Sequence, residues 1–208
     1  MERFICKLSS NDPFEKKGYL EVGLWNSKMF RYTLWRKNKR KLLAIPQFFQ
    51  DEALDLFYIS LMVFYVDCQV KRNDSSDRWT RSFMIEMPVL KKAKWDENKQ
   101  LLEKALDFLT GDHWTFSFRE RPYYIDGEAD FKKRLWHFIR SRHQNETDTF
   151  GMLSGGLDAF IGAIDLLKDG SKPIFVGNYN GGKGVSVYQS KVIESLASYF
   201  SYGRHNFF

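Results

Sequence analysis

Cysteine is scarce in this sequence, and the few cysteines present form no recognisable pattern. The 208 residues contain two cysteines, Cys6 and Cys68, whose spacing matches neither a disulfide framework nor a zinc site. Both are therefore predicted to be buried free thiols.

Long apolar runs are also missing. The longest, residues 56–66, is about half of the roughly 20 residues that a membrane-spanning helix needs, and Asp55 and Asp67 flank it. The first residues lack the apolar stretch and the small-residue cleavage site of a secretory signal. We therefore expect a cytoplasmic protein with no membrane segment.

Aromatic and basic residues are abundant. The chain is 43% hydrophobic and 17% aromatic, which is ample for a packed core. Its net charge is +6, with a basic cluster at residues 36–41. Such clusters are more often solvated loops than nucleic-acid sites, and the six tryptophans fit a core or subunit interface better than base-stacking platforms. The positive charge would suit a nucleic-acid or acidic partner, nucleic-acid binding through residues 36–41 is the weaker hypothesis, and a homo-oligomer stays open.

The first two thirds of the chain mix alternating apolar segments with helical ones. Alternation of apolar and polar positions predicts strands, and apolar spacing of three to four predicts helices. The predicted strands are residues 4–8, 19–25, 30–35, 79–89 and 114–119, and the predicted helices run from about 46 to 70, 96 to 109 and 129 to 142. This region is predicted to be a mixed α+β domain.

Composition and pattern change across residues 144–148, which form the best candidate linker. They divide the chain into a domain at 1–147 and a segment at 148–208. The second segment reads as strand 149–153, helix 159–168, strand 173–177 and helix 186–201. Its strands are continuously apolar, as is typical of a parallel sheet covered on both faces.

The turn between the first strand and helix of this second segment carries the chemistry. It reads Leu153-Ser154-Gly155-Gly156-Leu157-Asp158-Ala159. A glycine turn entering a helix directs backbone N–H groups and the positive helix end at one anion. Ser154 adds a hydroxyl donor, and Asp158 adds a carboxylate for holding the loop or Mg²⁺. The turn therefore predicts a phosphate-binding loop.

The string resembles the SGGxDS loop of the PP-loop ATP pyrophosphatases. Together with residues 160–167 it is most similar to the 7-cyano-7-deazaguanine synthase branch, and particularly to the synthase-like subunit of the Qat anti-phage defence system. Residues 55–67, 78–83 and 108–114 resemble landmarks of the domain that precedes the loop in those defence proteins. The resemblance implies that residues 1–147 dock partners and that 148–208 begin a PP-loop α/β domain.

The resemblance also implies an activity. ATP, with Mg²⁺, would activate a 7-deazaguanine-type carboxylate as an acyl-adenylate, releasing pyrophosphate, for attack by ammonia or by an amine of a partner protein. The implied partners are other subunits of the defence operon. Gly177 and Asn178 follow the second strand, where related folds bind adenine and ribose. Asn178 has an equally weighted interpretation as the cap of a turn.

Two departures from the family favour an alternative. Ala159 stands where the family has serine, which removes a hydroxyl donor to phosphate. We also expect the catalytic domain to be truncated at Phe208, with any zinc-binding cysteines lying downstream. The alternative is a catalytically weak or inactive scaffold subunit of the same complex.

Overall fold

The computed structural model describes residues 1–9, 11–24, 51–121, 149–177, 183–203 and 207. Contacts divide the chain into two compact units, one holding the described residues up to 121 and the other those from 149 onward. Outside these residues lie the predicted strand 30–35, the predicted helix 129–142, the candidate linker 144–148 and the basic cluster 36–41. Asn178 lies outside them as well.

Within the described residues, the first unit is built on a four-stranded sheet with two α-helices. The sheet order is β2-β1-β3-β4, and every pairing in it is parallel. The elements are β1 (Glu2–Lys7), β2 (Leu20–Gly23), α1 (Asp51–Gln69), β3 (Ser82–Val89), α2 (Lys92–Thr110) and β4 (His113–Glu120). A short 3-10 turn at Arg72–Asp74 follows α1.

Parallel pairing is the main difference from the sequence-based expectation for this unit. The strands and helices lie close to their predicted places, but the unit is α/β and not α+β. Alternation along β4 is typical of an antiparallel sheet with one solvated face, and so favoured an α+β unit. The α2 helix makes β4 parallel to β3, because it carries the chain back to the amino-terminal end of β3 before β4 begins.

One face of this sheet forms the core of the first unit. Phe83, Ile85 and Phe116 are fully buried there, and α1 contributes Ile59 and Met62. Partly buried side chains of α2 pack on the same cluster. The helices thus remove the apolar strand positions from water, which is the dominant favourable contribution to folding.

The two cysteines have different environments. Cys6 in β1 is buried, and burial raises the pKa of its thiol, which stays protonated. Cys68, next to the last residue of α1, is exposed. The expectation of two buried thiols is therefore wrong for Cys68, which lies on the outward side of a helix whose inward positions include Met62 and Val66.

The second unit contains β5 (Phe150–Met152), α3 (Leu157–Lys168), β6 (Ile174–Val176) and α4 (Lys183–Tyr199). β5 and β6 pair in parallel, as predicted. Phe175 also forms a parallel bridge with Phe207, on the edge of β6 that β5 does not occupy. The α3 and α4 helices contribute Ala163, Leu167 and Leu196 to an apolar core with Phe175. In the part of the chain that the structure describes, no helix combines the length and hydropathy of a membrane span.

Candidate phosphate-binding loop

The predicted loop lies at the carboxyl end of the parallel pair. Leu153 directly follows β5, is buried, and donates its N–H to the carbonyl of Val176 at 2.8 Å. The chain leaves the sheet after Leu153 and enters α3 four residues later, at Leu157. In open α/β sheets, ligands bind outside the carboxyl ends of the strands.

Two glycines shape the turn, for different reasons. Gly155 has φ of +84°, a left-handed conformation that favours glycine. Gly156 has φ of −80° and ψ of 164°, which any residue adopts. A Cβ on Gly156 would meet only the Ser154 hydroxyl within 4 Å, at an ordinary 3.5 Å. Neither backbone strain nor packing requires glycine there, and its missing side chain leaves the mouth of the loop open.

The backbone donors of the loop belong to the first turn of α3. Gly156 is the N-cap, and no side chain caps it. The Phe160 N–H donates to the Gly156 carbonyl at 3.1 Å, which is the first hydrogen bond of the helix. The N–H groups of Leu157, Asp158 and Ala159 therefore have no acceptor within the helix. They form a local concentration of positive partial charge suited to an anion.

The side chains around these donors are mostly exposed. Ser154, Leu157 and Asp158 are all exposed, and Leu157 has 71% of its surface accessible. The Ser154 Oγ accepts a long bond of 3.4 Å from the Gly156 N–H, so its hydroxyl hydrogen remains available to a ligand. The loop thus combines backbone and hydroxyl donors on an open surface.

Ala159 has a structural explanation. Its side chain packs against the apolar core of the second unit, where a serine hydroxyl would need a partner. The backbone N–H of Ala159 remains in the first turn of α3. Ala159 therefore lacks the hydroxyl donor that a serine would supply and keeps the backbone donor.

One carboxylate near the loop, that of Asp158, is a candidate ligand for Mg²⁺. Within the described ranges no group of three or more His, Cys, Asp or Glu side chains is placed to hold a metal ion. Mg²⁺ in nucleotide sites commonly uses one or two carboxylates, water and substrate phosphates, and needs no protein cage. Asp158 fits such a role as the one acidic residue in the first turn of α3.

The structure brings together most of the sequence-predicted site. Ser154, Gly155, Gly156, Leu157, Asp158 and Ala159 are contiguous in the loop and helix start. Gly177, which follows β6, lies beside the end of β5, because a Cβ built on it would be 3.4 Å from the Leu153 carbonyl oxygen.

Sequence reasoning missed one residue of this site, Gln189. It lies on α4, is buried, and donates from Nε2 to the Leu153 carbonyl at 2.7 Å. A signal was present in the sequence. Gln189 is three, four and seven residues before Val192, Ile193 and Leu196, so it is a polar residue on the apolar stripe of its helix.

Similarity to known proteins provides no further assignment. Comparisons of the chain with protein-family models, with curated proteins and with solved structures gave no match.

Proposed function

We propose that this chain binds ATP through residues 154–159 and is a 7-cyano-7-deazaguanine synthase-like ATP pyrophosphatase subunit of an anti-phage defence system. One observation carries the proposal. A glycine turn at the carboxyl end of a parallel strand leads into α3, whose first three N–H groups have no helical acceptor. The identity of this string with the family's SGGxD pattern supports the narrower assignment.

In the proposed reaction, a carboxylate oxygen of a 7-deazaguanine-type acid attacks the α-phosphorus of ATP. The bond from that phosphorus to the bridging oxygen breaks, giving an acyl-adenylate and pyrophosphate. The nitrogen of ammonia, or of a partner-protein amine, then attacks the acyl carbon. AMP leaves with the electrons of the C–O bond, and the nitrogen loses a proton to form the amide.

The loop would act on the first of these steps. Negative charge grows on the departing pyrophosphate, and fixed N–H donors stabilise it without reorganising. The N–H groups of Leu157, Asp158 and Ala159 and the hydroxyl of Ser154 would supply that stabilisation. Mg²⁺, held by phosphate oxygens and Asp158, would neutralise part of the same charge.

Gly156 offers a sharp test of ATP binding. Gly156→Asp introduces a favourable N-cap residue, so the fold should be preserved, but it places a carboxylate at the mouth of the loop. Gly156→Asn is the matched control, since it has the same shape and capping ability without the charge. Isothermal titration with MgATP should show saturable binding to the parent chain and binding at least about tenfold weaker to Gly156→Asp than to Gly156→Asn.

Two results would overturn the proposal. One is the absence of saturable MgATP binding to the folded parent chain. The other is equal affinity in Gly156→Asp and Gly156→Asn. The acid substrate is tested separately, by pyrophosphate exchange into ATP that depends on 7-carboxy-7-deazaguanine.

The alternative function is a scaffold subunit that keeps the fold and lacks the chemistry. Packing of the Ala159 methyl in the core favours it, because the loop then lacks one phosphate donor. A scaffold should co-purify with neighbouring subunits to the same extent in the parent chain and in Gly156→Asp. An enzyme should produce AMP and pyrophosphate, and that production should fail in Gly156→Asp.

A further inference from the structure

Gln189 joins α4 to the strand that precedes the loop. Its Nε2 donates to the Leu153 carbonyl at 2.7 Å, while the Leu153 N–H donates to Val176 of β6 at 2.8 Å. Both backbone polar groups of Leu153 are thus held, one by the neighbouring strand and one by α4. Leu153 is the last buried residue before the chain turns into the loop.

The environment of Gln189 makes this hydrogen bond specific. Its side chain is buried on a helix stripe that otherwise contributes Val192, Ile193 and Leu196 to the apolar core. A buried amide that loses its partner retains the full cost of desolvation. The amide is therefore strongly biased toward the Leu153 carbonyl.

Two glycines allow α4 to come this close. A Cβ on Gly155 would lie 3.1 Å from the Gln189 backbone nitrogen and 3.3 Å from its Cα. A Cβ on Gly177 would overlap the Gln189 side-chain amide. The backbone of Gln189 therefore lies close to Gly155 in the loop, and its side-chain amide lies close to Gly177 at the end of β6.

We propose that Gln189 is the positioning residue of the phosphate-binding loop. It acts through the Leu153 carbonyl, which fixes the peptide plane from which the loop departs, and through contact with the Gly155 backbone. Fixing that plane orients the N–H groups of the following turn toward one point before a ligand arrives. The identity of the ligand rests on the proposed function. The effect of Gln189 on the loop follows from the geometry alone.

A double-mutant cycle tests this role, with inorganic pyrophosphate as the probe. Gly177→Ala places a methyl group where the Gln189 amide lies and should displace that amide. Gln189→Ala removes the amide and leaves room for the methyl group. Each single variant should bind pyrophosphate about tenfold more weakly, as expected for a lost buried hydrogen bond. The double variant should be no weaker than Gln189→Ala, because both changes break the same contact.

Two further measurements separate positioning from a purely structural role. Affinity for adenosine, which has no phosphate, should be the same in Gln189→Ala as in the parent chain. Backbone amide exchange at the two ends of the loop, at Leu153 and Phe160, whose N–H groups donate to Val176 and Gly156, should accelerate in Gln189→Ala without ligand, while exchange in the middle of α3 stays unchanged. Gln189→Met, which keeps the bulk of the side chain without a donor, repeats the test if Gln189→Ala fails to fold.

The outcomes distinguish this inference from the proposed function. Additive losses in the double variant, equal losses for adenosine and pyrophosphate, or unchanged loop exchange would overturn the role of Gln189. A parent chain that binds neither MgATP nor pyrophosphate would overturn the proposed function. Accelerated loop exchange in Gln189→Ala would still support positioning of the loop in that case.

Discussion

Asp55 and Asp112 are buried carboxylates at opposite ends of the strands of the same parallel sheet. Asp55 accepts the N–H groups of Leu90 and Lys91, just beyond the carboxyl end of β3, at 2.8 and 3.0 Å. Asp112 precedes β4 and accepts the backbone N–H of Arg81 at 2.9 Å and its guanidinium Nη2 at 2.6 Å. Each carboxylate thus accepts backbone N–H groups at one end of the strands.

Asp112 is expected to be essential to the stability of that unit. Asp112→Ala leaves the guanidinium of Arg81 buried without its main partner, which should cost about 3–5 kcal/mol. Asp96 is the control, since its ion pair with Lys92 is about half exposed and Asp96→Ala should cost about 0.5 kcal/mol or less. Urea unfolding followed by tryptophan fluorescence measures both, because all six tryptophans precede residue 137. Equal midpoints for the two variants would contradict this prediction.

The two aspartates should give opposite dependences of stability on pH. Burial acts to raise the pKa of Asp112, but hydrogen bonds from Arg81 outweigh it and leave the pKa lowered. Burial raises the pKa of Asp55 despite hydrogen bonds from Leu90 and Lys91. Asp112 therefore contributes stability above the ordinary aspartate pKa of about 3.9, which is lost as pH falls through its lower folded value. Asp55 contributes stability below about 3.9, which is lost as pH rises through its higher folded value.

Asparagine variants isolate these two contributions. The difference in unfolding free energy between the parent chain and Asp112→Asn should grow as pH rises from about 2 to 5. The corresponding difference for Asp55→Asn should shrink as pH rises from about 4 upward. Urea midpoints at several pH values provide the measurement, and slopes of the same sign for the two variants would refute the assignment.

Two phenylalanines should respond very differently to truncation. Phe116 is fully buried and its ring stacks on Phe118 at 5.7 Å between centroids, so Phe116→Ala should cost about 3–5 kcal/mol. Phe108 on α2 is 89% exposed, so Phe108→Ala should change stability by about 0.5 kcal/mol or less. Urea unfolding by tryptophan fluorescence compares them, and a large loss of stability in Phe108→Ala would contradict the exposed position of this side chain.

Glycine variants should separate the loop from its helix. Gly155→Ala forces a left-handed conformation on alanine and places a Cβ 3.1 Å from the Gln189 nitrogen, which should cost about 2 kcal/mol. Gly162 lies within α3, and a Cβ there would meet nothing within 4 Å. Gly162→Ala should therefore stabilise the second unit by about 0.5–1 kcal/mol. Thermal unfolding followed by far-ultraviolet circular dichroism checks both signs.

Much of the secondary structure could be predicted from local pattern. The α2 helix ends beside Gly111, whose φ of 71° gives the left-handed cap that a glycine after a charged amphipathic stretch predicts. The β4 strand alternates buried and exposed residues as its sequence does. Strand direction in the first unit was not predicted, because alternating burial such as that of β4 is typical of antiparallel sheets and does not indicate the parallel pairing found here.

Most of the candidate site was predictable because its residues are consecutive, and Gly177 because it follows the strand predicted to pair with β5. Ser154, Gly155, Gly156 and the start of α3 form one short string whose geometry follows from its glycines and the helix end. The partner of the Leu153 carbonyl was not predicted, because Gln189 is 36 residues away and only the packing of α4 brings it there.

The sequence by itself determined the order of elements and the strand–turn–helix at residues 153–159, because helix periodicity, glycine conformation and orphan N–H groups are local properties. Tertiary structure decided the parallel direction of the first sheet, the exposure of Cys68 and the two contacts made by the Leu153 backbone. These features depend on which distant segments come together. Burial then makes a particular partner obligatory for each polar group that packing removes from water.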